Sequence, residues 1–368
     1  MDRHVRTGVM SQPPVPHPPR RITYWTGIWE PQREAISKEV AWLRSSLAPS
    51  SPIVSFSSQP SRFERCGRGV RLNFNRWYAL RAAALIVERR GAVTHVFGGI
   101  GTSDHFLQLL GRRPLLFTVV ASGTPSARVM YSRVSHFVAE SRVLAKMLVE
   151  TAIEPTRIDT IYPAIDIEHY APRTTPTAKR FTILFASSPV DSSEIDGRGI
   201  GLLIELARAR PDIDIVVLWR LWGDVETAAR VMASRMPPAN FRVERSDAVD
   251  MSAVYLRVHA TACFFAAKVG KSAPNSVIEG LACGRPALVS DSCGIADLVA
   301  HWQAGAVGAR SVEGIARALD ELLRNYPRAC RQARLLSEQE FDSRTALRRY
   351  SDIYDRLAAR PRVSALAP

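Results

Sequence analysis

The stretch that decides the fold runs from Lys271 to Val299 and reads KSAPNSVIEG LACGRPALVS DSCGIADLV. It places loop, helix, turn, strand, loop and helix in quick succession. Pro274 and Asn275 suit a helix start, because proline has no amide to satisfy there and an Asn side chain accepts from the free amides of a first turn. Val277, Ile278, Leu281 and Ala282 supply a buried side. Gly284 stops the helix and Pro286 prevents its resumption. Ala287 to Ser290 is then a compact apolar run, as expected of a strand covered on both faces. Such a helix directs its N-terminus toward the carboxyl edge of a parallel sheet, where its free amides suit a phosphate or another polar ligand.

The same alternation extends in both directions. Strands are predicted at residues 21–26, 52–56, 94–97, 114–120 and 135–139, with helices at 31–47, 76–90, 104–110 and from 140 to about 151. Residues 171–180, APRTTPTAKR, have no apolar period and mark a linker. Strands follow at 181–185, 213–218, 241–243 and 262–265, with helices at 199–209, 225–236 and 251–258. Alternating strand and helix predicts α/β architecture with parallel, doubly wound sheets. A chain of 368 residues suits two such domains of ~150 to 180 residues each. The expected layout is a basic, proline-rich, disordered tail at 1–20, a first domain at 21–172, a second at 173–340, and a helix at 341–360 crossing back to the first. Two Rossmann-like domains so joined would turn their carboxyl-edge loops toward one cleft. Gly27, Trp29, Gly99 and Ser122 fall on those loops in the first domain, although a tryptophan more often packs than carries substrate.

Composition narrows the partners. The apolar fraction of 46% and charged fraction of 23% are those of a soluble globular chain, and no apolar run approaches the ~20 residues a bilayer span requires. The five cysteines form no CxxC pair and the eight histidines no HxxxH, so neither a disulfide framework nor a metal centre is expected. The net charge of +14 is carried almost wholly by arginine, which points to anionic lipid headgroups or a nucleotide-linked substrate. No aromatic-basic pattern indicates nucleic acid. The expected location is the cytoplasm, with peripheral contact at the inner membrane face.

Two tempting motifs carry little. Gly98-Gly99-Ile100-Gly101 is not on the first strand, and Asp104 stands where a dinucleotide fingerprint has its third glycine. Asp212-Ile213-Asp214 lies where a strand begins rather than at the carboxyl edge.

Three stretches carry a family resemblance. Glu279, Gly284, Pro286 and Gly294-Ile295-Ala296-Asp297-Leu298-Val299 resemble the donor-binding signature of family-4 (group 1) glycosyltransferases, retaining enzymes of the GT-B fold. Ile161 to Tyr170, IYPAIDIEHY, is similar to the segment that ends that family's first domain. Phe341-Asp342-Ser343 with Tyr350 and Tyr354 resembles its terminal helix. The resemblance implies transfer of a hexosyl or related sugar, without cofactor or metal, from a nucleotide-diphosphate sugar to a hydroxyl. The implied acceptor is a glycan, a lipid-linked saccharide or a small molecule, as in polysaccharide biosynthesis.

Departures from the family are equally specific. Its signature has a second glutamate eight positions before the one matched by Glu279; here that position is Lys271. Ser187 and Ser188 stand near the place of a diphosphate-clamping Arg, with Arg198 and Arg220 as nearby cations. The resemblance then implies a donor site of Glu279, Asn275, Ser276, Lys271, Arg198 and Arg220, in which the carboxylate takes two ribose hydroxyls and the cations take the diphosphate. By spacing alone, Ser276-x-x-Glu279 is also a capping box. Two rival functions are an epimerase acting on nucleotide sugars and a catalytically inactive nucleotide-sugar-binding or scaffold protein.

Overall fold

The computed structural model describes residues 21–359 except 33, 58–61, 67, 125–130, 173–175, 190, 221–222, 247–249 and 268. The tail expected at 1–20 lies outside the described residues, as does part of the linker.

The first domain holds β1 (Ile22–Thr26), α1 (Ala35–Leu47), β2 (Ile53–Phe56), β3 (Arg62–Cys66), β4 (Gly69–Phe74), α2 (Trp77–Arg90), β5 (Val93–Gly99), α3 (Asp104–Leu109), β6 (Leu115–Ala121), β7 (His136–Ala139), α4 (Arg142–Glu150) and β8 (Ile158–Thr160). Among the described residues these strands form one eight-stranded sheet in the order β3-β4-β2-β1-β5-β6-β7-β8. Every neighbouring pair is parallel except β3 and β4. That antiparallel edge hairpin is absent from the sequence expectation. Its residues, RFERC and GVRLNF, mix charge and glycine into an alternation too weak to stand out.

Successive side chains of a strand take opposite faces. Trp25, Val96, Phe117 and Phe137 therefore meet Leu80 and Ala84 of α2, Phe106 of α3 and Leu144 of α4 on one side. Ile22, Tyr24, Phe97 and Leu116 pack on the other side with Val40 and Leu43 of α1.

The second domain begins with β9 (Thr182–Phe185), α5 (Glu194–Gly197), α6 (Ile200–Ala209), β10 (Asp214–Trp219), α7 (Val225–Ala233), β11 (Phe241–Arg245), α8 (Met251–Tyr255) and β12 (Ala260–Cys263). It continues through α9 (Asn275–Ala282), β13 (Ala287–Ser290), α10 (Ala296–Trp302), β14 (Gly305–Gly308), α11 (Val312–Arg324) and α12 (Tyr326–Glu340). Its sheet is parallel throughout, in the order β11-β10-β9-β12-β13-β14. β12 starts two residues before the apolar run read from sequence, because it takes its register from Ala287 opposite Thr261. Phe264 and Phe265 follow it as buried loop residues. The glycine of β14 is dictated by contact: a Cβ on Gly305 would lie 1.9 Å from the Ala287 carbonyl oxygen.

The last helix, α13 (Ser343–Ala358), returns to the first domain. Tyr350, Ile353, Tyr354 and Leu357 join the cluster of Ile22 and Tyr24. The buried imidazole of His95 lies 2.7 Å from both Tyr354 Oη and Thr118 Oγ1. Burial holds this histidine well below its ordinary pKa. Where the chain crosses between domains, Ile165 pairs with Asp342: Ile165 N donates to Phe341 O at 2.9 Å, and Ser343 N donates to Ile165 O at 3.1 Å. Two stretches singled out in the sequence thus lie against each other. Among the described residues no helix is long and apolar enough to cross a membrane.

Candidate functional site between the two carboxyl edges

The site is built where loops leave the second sheet. After β9, Ser188 Oγ accepts from Arg220 N at 2.7 Å, which ties that loop to the end of β10. Arg198 stands at the C-terminus of α5. Its Nε donates to Glu194 at 2.7 Å, its Nη1 donates to Ser187 Oγ at 2.6 Å, and its guanidinium lies over the Phe265 ring. The fold thus brings Arg198, Arg220 and both serines together at one edge. Gly199, which follows, has φ +83° and could not bear a Cβ, since that atom would lie 2.5 Å from Phe264 O. Sequence reading missed Arg310, whose Nε donates to Phe264 O at 2.9 Å and so links the loop after β14 to the end of β12.

Helix α9 begins beside this edge. Pro274 is its N-cap and no side chain caps it. The capping box suggested by spacing does not form. Instead Glu279, buried a turn inside, accepts from Tyr255 Oη at 3.0 Å and from Tyr170. Tyr255 Oη also lies 2.7 Å from the Ser276 carbonyl oxygen. Burial, then the Glu279 carboxylate, pushes both phenols above their ordinary range, so they remain donors to that carboxylate.

Lys271 and its neighbours lie differently from the expectation of a donor-facing cation. Lys271 Nζ is 3.1 Å from Glu39 Oε2 on α1 and 3.1 Å from Glu140 Oε2 just past β7. It also donates to Asn275 Oδ1 at 3.1 Å. Asn275 therefore turns toward this lysine rather than capping α9. Burial alone would lower the Lys271 ammonium, but the two carboxylates outweigh it and leave its pKa raised. Burial, then the nearby Glu39, raises Glu140 well above the usual carboxylate range. The cluster is a buried clasp between the domains.

The clasp has polar neighbours. Ser272 N donates to Val120 O at 2.9 Å, and Ser272 Oγ lies 2.8 Å from Ser141 Oγ. Gly294 N in turn donates to Ser272 O, and a Cβ on Gly294 would meet Ser272 Oγ at 2.1 Å. Arg142 adds an exposed ion pair to Asp297 at 3.2 Å. The carboxylate partners of Lys271 had no sequence signal, because Glu39 and Glu140 belong to the other domain.

The first domain's residues separate by environment. Gly27 borders open space, with nothing within 4 Å of an added Cβ. Trp29 is buried among Tyr24 and Val40, a packing role. Gly99 ends β5 at a register shift, where a Cβ would approach Thr102 Oγ1 to 2.9 Å. Ser122 is half-buried in the loop after β6, two positions past the carbonyl that receives Ser272 N.

Comparison with known proteins supplies the context. Residues 230–335 match the model of the family described as glycosyl transferases group 1. No curated protein matches the sequence. Among solved structures, Alr3699/HepE of Anabaena in complex with UDP superposes with a TM-score of 0.73 at 13% identity, covering 92% of this chain and 100% of that one. Sucrose-phosphate synthase from Thermosynechococcus elongatus gives 0.72 at 13% identity, over 92% and 100%. The catalytic domain of starch synthase IV from Arabidopsis thaliana, bound to ADP and acarbose, gives 0.67 at 10% identity, over 93% and 100%. The architecture is the GT-B fold of glycosyltransferases.

Proposed function

We propose that the protein is a retaining glycosyltransferase that moves a hexosyl or related sugar from a nucleotide-diphosphate sugar to a hydroxyl acceptor. The observation that carries this reading is that the segments bearing Arg198 and Arg220 and the start of α9 follow β9, β10 and β12, neighbouring strands of one parallel sheet, with Glu279 inside a segment matched by the glycosyltransferase group 1 family. Solved proteins of the same fold hold UDP, or ADP with acarbose.

In this reading the two arginines and the free amides of α9 neutralise the leaving diphosphate, which calls for no metal. Glu279, steadied by Tyr255 and Tyr170, takes the vicinal hydroxyls of the ribose. Retention follows from attack on the face the diphosphate leaves, with a phosphate oxygen receiving the acceptor's proton. The acceptor, a saccharide, lipid-linked glycan or small molecule, approaches from the first domain past Gly27.

A second reading has its own observation. Where the family signature carries a carboxylate, Lys271 is bound by two carboxylates of the opposite domain. A protein that binds nucleotide sugars without turnover would fit that arrangement. Incubation with a panel of nucleotide sugars, followed by mass spectrometry, separates the two. Transfer or hydrolysis supports the enzyme, whereas binding with an unchanged donor supports the second reading and an isomerised donor overturns both.

A further inference from the structure

We propose that the outward face of α2, with Phe63 on the edge strand beside it, docks the protein on a lipid surface bearing anionic headgroups. The inference does not depend on the sugar-transfer reading.

Exposed apolar side chains are unevenly spread. Of the ten large exposed hydrophobic residues among those described, Phe63, Trp77, Tyr78, Leu85 and Ile86 belong to α2 and β3, which makes this their main concentration. Phe63 stands opposite Leu72 in the β3–β4 pair. Leu72 packs with the cluster that buries Leu80, Ala84 and Val87 of α2, so Phe63 lies on the same side of the sheet as the helix. Phe63 and Tyr78 are 75% and 74% exposed, values that packing within the domain does not explain.

Charge selects the occupant. Arg76 just before α2 and Arg81, Arg89 and Arg90 on it are exposed, interleaved with the apolar residues. None of the four pairs with a carboxylate among the described residues. The acids of these elements are committed elsewhere: Glu64 pairs with Arg71 at 3.1 Å, and buried Glu88 faces Arg112. A helix with aromatic and aliphatic side chains among unpaired arginines matches a headgroup layer, where rings and aliphatic chains enter the acyl boundary and guanidinium groups meet phosphates. A second copy of the same face would set arginine against arginine across a two-fold axis, so self-association is disfavoured.

The placement of this face bears on the cleft. Trp77, at the start of α2, meets Phe56 at the carboxyl end of β2 edge-on, with ring centroids 6.1 Å apart. Docking through α2 therefore brings the first domain's cleft loops near the lipid surface.

The test is vesicle flotation of the full chain. The probes are neutral phosphatidylcholine vesicles and vesicles with about one third phosphatidylglycerol. Binding is expected only to the anionic vesicles, with release at high salt. Arg81→Glu with Arg89→Glu should weaken partitioning roughly 25-fold or more. Tyr78→Asp with Ile86→Asp should weaken it about tenfold. Arg328→Glu with Arg331→Glu, exposed on α12 and equal in charge change, should alter it less than about twofold. Arg81→Ser with Arg89→Ser replaces the reversal pair if that variant fails to fold by circular dichroism. Absence of binding to anionic vesicles, equal binding to neutral ones, or equal loss in both reversal pairs overturns the proposal. So does loss of a dimer in sedimentation without any effect on vesicles.

Discussion

Lys271 Nζ lies 3.1 Å from Glu140 Oε2, so a loop of the second domain is fixed to the end of β7 in the first through a buried ion contact. With Glu39 at the same distance, two carboxylates share one ammonium. Removing one member of a buried ion cluster leaves uncompensated charge, a larger loss than the net worth of the pairing. Lys271→Ala is therefore expected to destabilise the protein by about 3–5 kcal/mol, measured by urea unfolding. A change below about 1 kcal/mol would show that the carboxylates are not confined there.

The same cluster sets a pH dependence. Glu140 has a folded-state pKa raised above its unfolded value of 4.5, so its stabilising contribution is complete below 4.5 and is lost as pH rises through the folded value. Melting temperature should thus fall with rising pH on the neutral side of 4.5, and Glu140→Gln should flatten that slope. A wild-type slope that persists in the variant assigns the dependence to another group.

His95 has the opposite sign. Its folded pKa is depressed below 6.5, so its contribution is present above 6.5 and declines as pH falls toward the folded value. His95→Gln should remove part of the acid-side loss, followed by thermal melts across that range. Tyr354→Phe, which deletes a hydroxyl bonded to His95, should cost about 1 kcal/mol at neutral pH.

At the donor edge, Glu279→Ala should weaken nucleoside-diphosphate binding about tenfold or more, through loss of charge-assisted hydrogen bonds. Arg198→Ala should do the same while leaving the fold intact. Isothermal titration reads both. Unchanged affinity in Glu279→Ala would remove that carboxylate from the ribose.

Much of this was legible from local signals. Pro274, Gly284 and the Ala287–Ser290 run placed a helix and a strand where they are found, because caps and breakers act within a few residues. Arg198, just before Gly199, and Arg220, at the end of β10, were legible as cations near the place of the missing clamp, and their serine partners both lie in the loop after β9. Glu279 was ambiguous by spacing, since a capping box and a cleft carboxylate share one pattern; only the folded positions of Tyr255 and Tyr170 decide between a local bond and a tertiary one. Lys271 was legible as a departure but not as a clasp, because its partners come from α1 and the end of β7. The β3–β4 hairpin escaped notice because Arg62, Glu64 and Arg65 break the apolar alternation of an edge strand.

The return of α13 makes the second domain an insertion within the first. The sheet face bearing Ile22, Tyr24 and Leu116 is completed by Tyr350, Tyr354 and Leu357, which leave the ribosome only after the whole intervening domain. During synthesis, then, the earlier domain waits with an uncovered apolar flank while the later one folds, reversing the order in which the two would otherwise mature. A fragment ending at the linker would leave the part of that flank covered by Tyr350, Tyr354 and Leu357 exposed.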